Sequence, residues 1–201
     1  MSGLRFNVSL IGESKVGKTS LVQVLTGFEF SEVMLTTMGI DHSYIEKKFD
    51  GKSYKFVIFD TAGQEKYKSL SSSTVQIAHG FLLVFSVDDK NSFIQINDWI
   101  EVIKDCVDLN EKIIYLVGNK NDIEKREVTE KEAKEYADSN KMKYFETSAK
   151  LNKGVNEVFN EIFNDIYKLY KKLEGKKEQN QNFKLQNKSN ANNNNKKKKK
   201  C

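Results

Sequence analysis

Cysteine is scarce in this chain, with Cys106 and Cys201 alone among 201 residues. Two cysteines give no disulfide framework, and nothing around them has zinc-ligand spacing. Cys106 falls in a helical apolar pattern and reads as a small core residue. Long apolar runs are also missing. The longest, Gly80-Phe81-Leu82-Leu83-Val84-Phe85 with Val87 just beyond, suits a buried strand and is far short of the ~20 residues of a spanning helix. The N-terminus carries no basic-then-apolar signal segment, so synthesis in the cytosol is expected. Hydrophobic content is 38%, low for a globular chain. The length therefore allows one domain with a sizeable core, plus a tail.

The body lacks a basic excess as well. From Glu174 onward there are nine Lys against two Glu, a net of +7 within a whole-chain charge of +5, which leaves the first 173 residues at −2. The basic balance belongs to the tail and not to a nucleic-acid-binding face, so no nucleic-acid partner is expected.

What is present centres on Gly12-Glu13-Ser14-Lys15-Val16-Gly17-Lys18-Thr19. Leu4–Ile11 before it reads as a strand, and Thr19 to Leu25 after it as a helix. G-x-x-x-x-G-K-[ST] between strand and helix is a phosphate-binding loop. Its glycines let backbone N–H groups wrap an oligophosphate at a helix N-terminus. Lys18 can neutralise the β- and γ-phosphates, and the Thr19 hydroxyl can hold magnesium.

Residues 27–38 have no clear period and read as a loop with Phe28, Phe30, Thr36 and Thr37, rich in aromatics and hydroxyls for a passive connector. Ile40–Asp50 and Ser53–Asp60 flank Asp50-Gly51, a two-residue hairpin signal. Phe81–Val87, Lys112–Gly118 and Lys143–Thr147 are further strands. Ser92-x-x-Gln95 predicts a cap for a helix with apolar residues at Phe93, Ile96, Ile100, Ile103 and Val107. Thr129-x-x-Glu132 predicts a capping box, and Val155 to Leu173 a long amphipathic helix. The alternation predicts an α/β P-loop NTPase fold in three layers, with about six mostly parallel strands and about five helices. Ligands of such sheets sit at the carboxyl ends of the strands, where the phosphate loop, Asp60 and Asn119 all fall.

Three motifs then follow in order. Asp60 ends an apolar strand, placed to reach magnesium through water, and runs directly into Thr61-Ala62-Gly63-Gln64. Gly63 offers an unobstructed N–H to a γ-phosphate, and Gln64 can orient an attacking water. Asn119-Lys120-Asn121-Asp122 follows a strand. The Asp122 carboxylate can accept from the N1–H and 2-amino groups of guanine, a pairing that adenine cannot supply. Leaving such a charged group unpaired costs ~1–3 kcal/mol or more. Ser148-Ala149-Lys150 can present N–H groups to the guanine O6, with Lys150 over the ring.

Together these motifs resemble the Ras superfamily of small GTPases over about residues 4–172. The resemblance implies a GTP-binding switch that hydrolyses GTP to GDP with Mg²⁺. It implies that residues Gly12–Thr19 and Ser20 line the nucleotide site, and that Gln64 is the catalytic residue. By it Thr37, with Thr36 as a competitor of poorer register, is the threonine that closes onto magnesium and γ-phosphate. Phe30 is the aromatic against the base. Exchange factor, activating protein and effectors would act through residues 30–42 and 61–76. Thr37-Met38-Gly39-Ile40-Asp41, Phe49-Asp50-Gly51-Lys52 and Asn97-Asp98-Trp99 look like Rab sequences. Phe59, Phe85-Ser86-Val87 and the segment after Lys66 lean away from Rab, leaving a Ras-type signalling protein as the alternative to a role in vesicle traffic. Lys15 stands where many relatives have a small residue. An ATPase or kinase would have no use for Asn119–Asp122, and a scaffold that never hydrolyses would have none for Gln64.

Residues 174–201 carry eight Asn, then Lys196–Lys200 and a lone Cys201. That composition predicts a disordered tether after a domain of residues 1–173. The resemblance makes Cys201 a prenylation site, handled by prenylation machinery and backed by lysines that favour an anionic membrane. The protein is thus expected on the cytoplasmic face of a membrane, with a cytosolic pool.

Overall fold

A computed structural model of the chain describes residues 4–31, 40–61 and 74–197, with side chains as far as residue 176. It divides into two compact units, Met1–Ile166 and Tyr167–Cys201. The first holds a six-stranded sheet in the order β2-β3-β1-β4-β5-β6. The strands are β1 (Arg5–Ile11), β2 (Ile40–Phe49), β3 (Lys52–Thr61), β4 (Gly80–Ser86), β5 (Ile113–Asn119) and β6 (Lys143–Glu146). All neighbouring pairs are parallel except β2 with β3. The helices of five residues or more are α1 (Lys18–Leu25), α2 (Lys90–Ile94), α3 (Ile96–Cys106), α4 (Glu130–Ser139) and α5 (Val155–Lys197). This is the α/β architecture the alternation predicts.

The central strands are apolar on both faces because helices cover both. Every residue of β4 is buried. On one face Phe81, Leu83 and Phe85 join Ile96, Trp99 and Ile103 of α3 and Ala133 and Ala137 of α4 in one core. On the other, Phe56 of β3 meets Phe163 of α5 with ring centroids 4.3 Å apart. Gly80 allows that approach: a Cβ there would lie 2.8 Å from Ile166 Cδ1 and 3.2 Å from the Ile113 carbonyl. The Asp50-Gly51 hairpin forms as the dipeptide predicts, with φ of 48° and 74° at its two turn residues.

Local capping differs from the sequence pattern in two places. The expected helix from Ser92 to Val107 is two helices, and the cap is Asp89, whose carboxylate accepts from the Ser92 N–H at 3.1 Å. Ser92 is instead buried inside the turn, where its hydroxyl accepts from the Ser86 N–H at 3.0 Å and donates to the Asp89 carbonyl at 2.7 Å. Thr129 caps α4 as predicted, accepting from the Glu132 N–H. The Glu132 carboxylate does not close the box; it pairs with Lys90 at the start of α2.

The second unit is helical. Tyr170 donates to Glu174, and Lys171 lies 3.6 Å from the same carboxylate. The helical backbone continues to Lys197, whereas composition predicts no order from Glu174.

His79 couples the fold to pH. Its Nδ1 accepts from the Asn7 N–H at 3.0 Å, its backbone N–H donates to the Asn7 carbonyl at 2.8 Å, and the Phe6 ring lies edge-on to the imidazole. Burial, aided by Lys112, holds the imidazole below its ordinary range near 6.5. As pH falls below about 6.5 the unfolded chain takes up a proton that the folded chain refuses, so this contribution to stability is full above that value and is lost below it. Burial raises Asp60, which acts in the opposite direction. Urea midpoints should fall between pH 7.5 and 5.5, and His79→Gln should flatten that slope.

Candidate functional site

Four strand ends build the site. The turn after β1 begins at Gly12, φ 148°, where a Cβ would stand 2.0 Å from the Val84 carbonyl of β4. Only glycine lets the loop lie on β4 at that point. Gly17, φ 98°, begins α1, and a Cβ there would meet the Asn119 amide at 2.3 Å. The loop therefore turns back over its own helix, with Val16 buried beneath it.

Lys18 is 5% exposed and donates to the Gly12 and Glu13 carbonyls, each at 2.8 Å. Burial lowers its ammonium to about 8, partly offset by Asp60 and Glu13. Asp60, 3% exposed at the end of β3, accepts from the Thr19 hydroxyl at 2.5 Å through one oxygen. Its other oxygen is buried and has no hydrogen-bond partner among the described residues. Burial pushes this carboxyl up, opposed by the Thr19 hydroxyl and by Lys18. A carboxylate oxygen left free beside a threonine hydroxyl suits a hard divalent cation that completes its shell with phosphate and water oxygens. Thr19 and Asp60 thus fit magnesium. A cleft of about 200 Å³ opens beside them, lined in part by Thr26, Phe28, Asp41 and Ser43. Phe28 is exposed and Phe30 half-buried.

Asn119, at the end of β5 and 1% exposed, joins the phosphate end to the far end of the site. Its amide donates to the Val16 carbonyl at 2.8 Å, and its carbonyl accepts from the Thr147 hydroxyl at 3.1 Å and the Ala149 N–H at 3.4 Å. The Asp122 carboxylate accepts from Ser148 Oγ at 2.5 Å, which in turn accepts from the Leu151 N–H at 3.0 Å. Lys120 takes φ 65° and reaches toward Asp88 at 3.7 Å. Lys150 is exposed. The motifs around Lys18, Asp60, Asn119 and Ser148, scattered in sequence, are thus one constellation. Thr37, Gly63 and Gln64 lie outside the described residues, as do Thr36 and Cys201.

Three supports escape motif reading. Thr147 is one. Arg126 is another, forking onto Glu146 at 2.5 and 3.2 Å while Tyr144 donates to the same carboxylate at 2.8 Å. This ties the segment after Asp122 to the strand before Ser148. The third is Trp99, whose indole N–H donates to Glu13 Oε1 at 3.0 Å. A buried tryptophan needs such an acceptor, which was the available signal, although its distant partner was not.

A family model described as Ras family matches residues 7–168. The chain is 38% identical over 156 residues to the Ras-related protein RabC of Dictyostelium discoideum, covering 76% of this chain and 79% of that one. It is 39% identical to the Ras-related protein Rab-21 of Mus musculus, covering 76% and 69%, and 35% identical to the Ras-related protein Rab-11C of Dictyostelium discoideum, covering 76% and 68%.

Because Asn119 serves both ends, its loss should be felt at both. Asn119→Ala should cost about 2–4 kcal/mol in chemical denaturation, as two or more buried partners lose their hydrogen bonds. Bound nucleotide should also leave at least about tenfold faster in a fluorescent-nucleotide release assay.

Proposed function

Since this chain belongs to the Ras family and is a Rab-like small GTPase, we propose that it is a guanine-nucleotide switch directing vesicle and membrane traffic. The observation that carries this is Asn119, whose one amide holds the phosphate loop and the guanine-type loops in a single site.

In this reading Lys18 leaves the Gly12 and Glu13 carbonyls for the phosphates, and its lowered ammonium is restored by their charge. Thr19 and Asp60, with Thr37, would hold magnesium, which when bound would supply positive charge to the phosphates. Asp122, already oriented by Ser148, accepts from the guanine edge, while Ala149 offers its N–H and Lys150 covers the ring. Phe30 rests against the base. Gln64 orients the attacking water, and Gly63 with Thr37 senses the γ-phosphate. The sequence has no motif that marks an arginine finger in cis, so hydrolysis is slow until an activating protein supplies one. An exchange factor and effectors act on residues 30–42 and 61–76.

Guanine selectivity is tested at Asp122. Asp122→Asn should weaken GTP by at least about tenfold, the loss of one charged hydrogen bond, and should gain preference for xanthosine triphosphate, whose 2-position carries oxygen. Competition binding reads this out, and an unchanged preference for GTP would end the assignment.

No described helix is long and apolar enough to cross a membrane. The proposed attachment is peripheral: a prenyl chain on Cys201 plus the lysines at 196–200, with the segment from Glu174 as the tether. One chain and a basic patch form a two-signal anchor, each lysine adding roughly 1 kcal/mol near an anionic leaflet. Cys201→Ser should move most of the protein to the cytosol in fractionation or imaging, and neutralising the five lysines should do so in part. Mass spectrometry that finds Cys201 unmodified on membrane-bound protein would refute the anchor.

A further inference from the structure

One cation of the phosphate loop is unused by the reading above. Lys15 sits midway between Gly12 and Lys18 with φ 66°. Side chains other than glycine, asparagine and aspartate seldom take that conformation, and holding one there has an energetic cost. Glycine would remove the cost at once, and the loop already uses it at Gly12 and Gly17. The lysine side chain is exposed, and among the described residues it has no hydrogen bond or ion pair. The nearby acid is committed elsewhere: Glu13 takes the Trp99 indole N–H through its side chain and Lys18 through its carbonyl. The loop thus holds two lysines in contrasting states. Lys18 is sunk against two carbonyls, while Lys15 is held at the mouth on a long flexible arm.

We infer that Lys15 is a specificity-determining residue which, as a second cation of the phosphate loop, favours the triphosphate over the diphosphate. The inference rests on the guanine-nucleotide reading and adds what that reading leaves open, namely how the site weighs its two ligands. A triphosphate brings an additional negative charge to the mouth of a loop whose buried charges, Lys18 and Asp60, already oppose one another. Lys15, exposed and with no described partner, is the loop cation left to meet that charge, whereas the buried Lys18 serves the phosphates deeper in the cradle. Being exposed, it acts through a screened attraction, so its effect fades as salt rises. An arginine in its place would retain the charge.

The test uses the full chain loaded with magnesium and nucleotide, and compares Lys15→Asn, Lys15→Gly and Lys15→Arg. Asparagine and glycine accept a positive φ without the charge; arginine keeps the charge. Dissociation constants for GDP and for a non-hydrolysable GTP analogue are measured by competition at low and physiological salt. Lys15→Asn and Lys15→Gly should weaken the triphosphate by about two- to fivefold, the size expected of one exposed, screened charge pair, and should change the diphosphate much less. Lys15→Arg should keep the original ratio, and added salt should narrow the gap. Lys15→Gly should also raise the melting temperature of the protein, since it relieves the backbone. Both nucleotides weakening equally, or neither changing, in the neutral variants would overturn the inference while leaving the guanine reading intact. A wild-type chain that binds neither nucleotide would overturn that reading and this one with it.

Discussion

Two opposite charges kept out of water beneath one loop set the terms for this molecule. Lys18 and Asp60 are both nearly inaccessible, and one carboxylate oxygen of Asp60 has no hydrogen-bond partner among the described residues. Lysine borrows the carbonyls of its own loop, while aspartate has a threonine hydroxyl on one oxygen and nothing described on the other. Burying charge without full compensation is costly, so the fold leaves a deficit at the end of β1 and β3. An anion with a divalent cation would compensate both charges. The folded state would therefore be coupled to its ligand, whose binding adds stability as RT ln(1 + [L]/Kd).

The rest of the structure can be read as support for that pocket. β4 offers a carbonyl against which Gly12 lies, β5 delivers Asn119, and β6 delivers Thr147 and Ser148. The Arg126–Glu146 fork and the Tyr144 hydroxyl brace the two far loops from behind. None of these supports needs to touch a ligand. They fix the distance between the place where phosphates bind and the place where a base would be read, which is the quantity a nucleotide site must hold constant.

Much of this was legible in the sequence because the features are local. A glycine pattern between strand and helix, Asp50-Gly51 between two strands, and Thr129 three residues ahead of Glu132 each act over a few residues. Less legible were the choices made by competition. Asp89 and Ser92 are both good caps, and burial of Ser92 against Ser86 decides for the aspartate. Glu132 had the spacing for a capping box, yet a lysine from another helix was nearer in space. The helical backbone beyond Leu173 left no signature because apolar periodicity reports burial, and a stretch of Asn and Lys has nothing to bury. Partners far apart in sequence, such as Arg126 with Glu146 or Trp99 with Glu13, were not legible because only folding brings them together.

Trp99 has a consequence of a different kind. It is the chain's only tryptophan, buried in the core of α3, with its polar edge on a residue of the phosphate loop. Indole emission responds to the polarity and hydrogen bonding at its nitrogen, and here that nitrogen faces the carboxylate of Glu13. The same residue's carbonyl receives Lys18. If the ammonium turns from that carbonyl to a phosphate, as proposed, the electrostatic surroundings of a single chromophore would change with it. The protein therefore carries an intrinsic optical probe at its own binding loop, free of interference from other indoles and requiring no added label.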